Sequence, residues 1–185
     1  MLDALLANGR CGIFAFKAPS AIGDNRYVAA MIPPGMLKML LPLACAWAEE
    51  QERIILDAGV ALTASQLADA RRIGVKECER VRLRVVEEMP MPENPVLRAA
   101  ADMTGLLSPD TVGLTLRYGI LIRADHWGEW RLVIHELAHT AQYERFGGFH
   151  GFLSAYLDEC LTVGYPAGPL EQEARRIERE MEQTG

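Results

Sequence analysis

No two cysteines of this chain lie close together. Cys11, Cys45, Cys78 and Cys160 are far apart and form no Cys-x-x-Cys pair, which excludes a zinc ribbon and a dithiol redox motif. They are expected as reduced thiols packed in the interior. A basic cluster is also missing: 19 Lys and Arg stand against 25 Asp and Glu, for a net charge of −6, and the cations alternate with acids. Nothing in that pattern tracks a phosphate backbone, so no nucleic-acid partner is expected. The first residues lack the charged start, apolar centre and small-residue cleavage site of a secretory signal, and a cytoplasmic location follows as the default. Long apolar runs are scarce as well. The strongest, Met31 to Ala48, is interrupted by Pro33, Pro34, Gly35, Lys38 and Pro42 and passes at once into Glu49-Glu50-Gln51-Glu52-Arg53. Spanning a bilayer takes about 20 predominantly apolar residues. A core helix running on to Gly59, with Pro34 near its first turn, fits better than a membrane anchor.

What is present describes one globular domain. At 185 residues, with 50% hydrophobic and 24% charged side chains, the chain can bury a substantial core and does not resemble a disordered one. Residues 1–30 show no sustained period between Gly9, Gly12, Pro19 and Gly23, and read as a poorly defined N-terminal arm. Residues 31–185 read as a single domain.

Thr63 and Gln66 have capping-box spacing, which predicts a helix from Ala64 to Arg72 that stops at Gly74. Val81-Arg82-Leu83-Arg84-Val85-Val86 alternates apolar with charged, the mark of a strand with one wet face. Pro90, Pro92 and Pro95 open a loop, and Pro95 to Thr104 reads as a short helix closed by Gly105. Leu114 to Arg123 is a second strand region, with Gly119 marking a bulge or a close backbone approach. A sheet edge there could hold an extended peptide through main-chain hydrogen bonds, or the strand could be interior. Helices follow at Glu129 to Phe146 and at Phe149 to Val163, and after a Tyr-Pro-x-Gly-Pro loop a last helix carries an apolar stripe at Leu170, Ala174, Ile177 and Met181. These elements add up to an α+β domain, mainly helical, with a small sheet ahead of the first of those helices.

That helix carries His135-Glu136-Leu137-Ala138-His139. Residues four apart are neighbours on one helical face, so His135 and His139 can aim their imidazoles at one Zn²⁺. Glu136 projects beside them, where a carboxylate can take a proton from a metal-activated water, as in a zinc-dependent peptidase. Trp130, Ile134, Leu137 and Ala141 form an apolar stripe that would press the helix into a core and seat the pair at the border of a cleft.

A catalytic zinc usually has three protein ligands and one open position. Arg145 and Gln142 stand where a His-Glu-x-x-His-x-x-Gly-x-x-His pattern has its third His and its Gly, which excludes that subclass. His126 and His150 flank the helix in turns from which reaching back would strain the chain. Carboxylates of later helices remain: Glu171 and Glu173, one on each side of the last apolar stripe and equal on geometry, with Asp158 and Glu159 behind them. Tyr156 and Tyr165 lie where an oxyanion donor could come from, or are simply packed aromatics.

The His135–His139 motif followed by Pro169-Leu170-Glu171-Gln172-Glu173-Ala174 resembles the gluzincin type of zinc metallopeptidase. It is similar in particular to small bacterial ImmA/IrrE-like peptidases, whose third ligand sits in a Glu-x-x-Ala pattern. The resemblance covers Leu114 to Ile177. It implies a zincin-like domain with Zn²⁺ on His135, His139 and Glu171, Glu136 as general base, and a peptide or protein substrate. The chain departs from the pattern at Arg175, where an Asn or Asp often follows the Ala. The competing expectation is a zinc-containing binding or regulatory protein that cleaves nothing, membrane-associated through residues 31–48.

Overall fold

The computed structural model describes residues 35–104, 106–108 and 110–184; the N-terminal arm expected at residues 1–30 lies outside them. Helix α1, Met36–Ala58, begins after Gly35 and is ended by Gly59, with Pro42 in its interior. Its stop at Gly59 is the one expected for the core helix, while Pro34, expected near the first turn, lies outside the described residues. No helix among the described residues is long and apolar enough to cross a membrane. A two-residue strand β1, Val60–Ala61, leads to α2, Ala64–Ile73. Both halves of the capping box at Thr63 are formed, and Gly74 takes the left-handed conformation that closes α2. Strand β2, Arg82–Val86, and helix α3, Pro95–Thr104, follow as expected.

The region Leu114 to Arg123 is a hairpin rather than one strand. Strand β3, Gly113–Leu116, turns at Arg117-Tyr118 into β4, Gly119–Arg123, with Leu116 opposite Gly119. Arg117 sits at a φ of 59°, a conformation unusual for a side chain of its size, and what holds it comes from elsewhere in the chain. Glu52 of α1 accepts two hydrogen bonds from the Arg117 guanidinium, at 2.8 and 2.5 Å, and a third from the Tyr118 N–H at 3.1 Å. Gly119 is a close approach, as expected: a Cβ there would come within 3.0 Å of Ile55 on α1.

The strands form one sheet in the order β1-β2-β4-β3, with β2 parallel to β4 and the other pairs antiparallel. The fold is thus mixed α+β. Helix α4, Trp130–Arg145, then α5, Phe149–Thr162, and α6, Pro169–Gln183, complete it. The alternation of β4 separates two cores. Ile120 and Ile122 pack with Val133 and Leu137 of α4 and Ala70 of α2, while Leu121 joins Leu116, α1 and α5 on the opposite face. Cys78 and Cys160 are buried free thiols and Cys45 is half-buried, all unpaired in disulfides.

Strand β3 lies at the border of the sheet. The Arg123 N–H donates to the Val112 carbonyl at 2.9 Å. In the alternating antiparallel ladder, Leu114 and Leu116 therefore also turn their backbone groups toward β4, and those of Gly113 and Thr115 face away from it.

Candidate metal centre

Helix α4 is held by its buried face. Ile134, Leu137, Ala138 and Thr140 are all completely enclosed. Trp130 is not part of that face: at the first position of the helix it is 38% exposed and donates its indole N–H to Asp69 of α2 at 2.9 Å. With the helix rotation set by the core, His135 and His139 fall on the flank toward α6. Their Nε2 atoms lie 3.2 Å apart and their rings meet edge to face at 4.9 Å.

Glu171, on the first turn of α6 and 2% exposed, brings its carboxylate to both. Its Oε1 is 3.3 Å from His135 Nε2, and its Oε2 is 3.4 Å from His139 Nε2. Three donor atoms thus converge in a group that could hold a metal ion. Glu173 points elsewhere, accepting two hydrogen bonds from the Arg145 guanidinium at 2.8 and 2.6 Å. The two glutamates that looked equivalent are therefore distinct. Arg145, at the position of the missing third His, is what draws Glu173 away. Arg175 stands beside Glu171, its Nε 3.4 Å from Oε1.

Hydrogen bonds fix the imidazoles. The Gln142 amide donates through Nε2 to the Leu170 carbonyl at 2.8 Å and to Glu173 at 3.0 Å, so its oxygen must face His139. An oxygen only accepts; at 2.8 Å it therefore takes the Nδ1–H of His139, which leaves the Nε2 lone pair directed at the centre. Glu178 Oε2 lies 3.7 Å from Nδ1 of His135 and can play the same part there. Burial alone lowers the pKa of His135, but the bonds to Glu171 and Glu178 outweigh it and hold that pKa up at about 10. Burial likewise raises Glu171, yet its hydrogen bonds to His135 and His139 override it and keep the carboxyl well below the usual carboxylate range. The two shifts are opposite sides of one pairing: the glutamates favour the charged form of His135, and the histidines favour the Glu171 carboxylate. Neither Gln142 nor Glu178 was singled out from the sequence. The available signal for Glu178 was its spacing of seven from Glu171, which puts two acids on one flank of α6.

Glu136, 4% exposed, is not one of the three converging groups. Its Oε2 accepts the Thr115 hydroxyl at 2.6 Å, and the same hydroxyl lies 2.9 Å from the Glu136 carbonyl oxygen. Its Oε1 occupies space that exists because residue 113 has no side chain: a Cβ on Gly113 would stand 2.3 Å from it. Gly113→Ala is expected to displace the carboxylate at a cost in stability of about 1–3 kcal/mol. If Glu136 acts on substrate, the variant should also fall in kcat by far more than in metal content, which parallel turnover and metal assays will read.

The other sequence candidates are placed apart from this group. His126 is bonded to Glu129 at 2.8 Å, and His150 is exposed. Glu159 accepts the Leu170 N–H at 2.8 Å, at the start of α6, and Asp158 is exposed. Tyr156 does reach the centre, donating its hydroxyl to Glu171 Oε2 at 3.1 Å with its ring against His139. Beside the centre opens a cavity of about 720 Å³, to which His135, Glu136, His139, Glu171 and Tyr165 all contribute, along with residues 111–116 of the β3 border. No family model matches the chain, and comparison with curated proteins and with solved structures finds no significant similarity.

Proposed function

We propose that the protein is a zinc-dependent metallopeptidase. The observation that carries this reading is the convergence of its donors: the two imidazole Nε2 atoms lie 3.2 Å apart, with one Glu171 oxygen 3.3 Å from the first and the other 3.4 Å from the second. Tetrahedral ligands at zinc's usual bond lengths of about 2.0–2.1 Å are separated by about 3.3 Å. Two imidazoles and one carboxylate, with a cavity on the remaining side, are the donor set of a catalytic zinc site. Held there, Zn²⁺ supplies Lewis acidity, acidifying a water and polarising a substrate carbonyl.

The remaining work belongs to the chain. Glu136, with one oxygen anchored by Thr115, takes a proton from the attacking water and returns it to the departing amine nitrogen. Gln142 and Glu178 keep the imidazole lone pairs on target throughout. Gly113 and Thr115 offer outward backbone groups to an extended peptide laid along β3, which would present its carbonyl beside Glu136.

Zinc stoichiometry of the purified protein, together with cleavage of a peptide library, tests the reading. One equivalent of zinc is expected, lost in Glu171→Ala and His139→Ala and kept in Glu173→Ala, with hydrolysis following the metal. Zinc retained in Glu171→Ala, or a zinc-loaded protein that cleaves no peptide, overturns it.

A further inference from the structure

The cavity is much larger than the metal centre needs, and its far wall is of one chemical kind. Leu40, Ala44 and Trp47 of α1, Leu97 of α3, and Leu153 and Leu157 of α5 surround it with apolar surface. A volume of 720 Å³ falls within the range of ligand-binding pockets. At roughly 30 Å³ per water-sized group it holds about 24 of them, whereas a leucine side chain has four carbons and a phenylalanine seven. One anchoring residue therefore fills a fraction of it. The β3 border runs along the same space, and every second residue of a chain paired there points the same way, about 6.7 Å apart.

From this juxtaposition we infer that the site takes polypeptide segments with two or more large apolar side chains at alternate positions around the bond to be cut, seated together in the cavity. The inference rests on the peptidase reading and adds the substrate class. Folded proteins bury such segments, so the substrates are unfolded chains or exposed hydrophobic stretches rather than polar surface loops.

The test uses the full-length, zinc-loaded protein and fluorogenic peptides of equal length on one polar frame. One carries Leu at two alternate positions, one carries a single Leu with Ser, one carries Ser at both, and a fourth is the Ser peptide bearing an N-lauroyl chain. Each Leu→Ser exchange is expected to lower kcat/KM by about tenfold or more. Ala44→Phe, which intrudes on the cavity away from the metal, should lower kcat/KM for the two-Leu peptide at least tenfold more than for the Ser peptide, with zinc content read on the same preparation, and an equal fall for both peptides overturns the inference. Rates within about twofold across the series, equal rates for one and two Leu, or preference for the lauroyl peptide overturn the inference and leave the peptidase reading standing. If the zinc-loaded protein cleaves none of them, the peptidase reading falls instead. Binding then decides the cavity: at least tenfold tighter binding of the two-Leu than of the Ser peptide supports it, and equal binding overturns it.

Discussion

Glu136→Gln is expected to lower kcat by about 10²–10⁴-fold while the protein keeps its full equivalent of zinc. The substitution preserves the size of the side chain, and the Gln oxygen can still accept the Thr115 hydroxyl bonded at 2.6 Å in the parent. What disappears is the ability to accept a proton. Because Glu136 is not one of the three converging groups, the metal is expected to stay. Single-turnover rates and metal analysis on the same preparation separate the two effects. A variant that hydrolyses peptides at the parent rate would remove Glu136 from the chemistry, and one that loses zinc would make it part of the metal site.

Glu52→Ala should be the most destabilising single change among the ion pairs described here. Glu52 is 3% exposed and satisfies both the Arg117 guanidinium and the Tyr118 N–H, so its loss strands two donors at the hairpin turn. Breaking a buried pair from one side costs about 3–5 kcal/mol; because the Arg117 side chain is 33% exposed, the lower end applies, about 3 kcal/mol. In a domain of this size that corresponds to a fall in Tm of roughly 10 °C. Arg53→Ala, which removes the exposed contacts to Glu50 and Asp57, provides the control, expected within about 0.5 kcal/mol of the parent. Thermal melts that show equal shifts for the two variants would mean that Glu52 does not hold the turn.

The parts of the structure legible in the sequence are those whose cause is local. Thr63, Gln66 and Gly74 specify α2 through hydrogen bonds within a few residues. The alternation of Arg82, Leu83 and Arg84 likewise describes β2 by itself. His135 and His139 share a flank because the helical period puts them there. Features whose cause is distant were not legible. Arg117-Tyr118 lacks the Asn or Gly of a tight hairpin turn and is held by Glu52, 65 residues earlier, so one strand was expected where two are found. The choice between Glu171 and Glu173 depends on how α6 is rotated against α4 and on Arg145 waiting across the interface. Strand β1, two residues long, is too short to carry any period.

The Gln142 amide has an implication for the outer surface of the molecule. It joins His139 to Glu173, and Glu173 joins it to the half-exposed Arg145. An ion pair of that kind ordinarily contributes little and drifts freely under mutation. Here it terminates a relay whose inner end sets the tautomer of His139, so a solvent-facing arginine inherits constraints that properly belong to the buried centre.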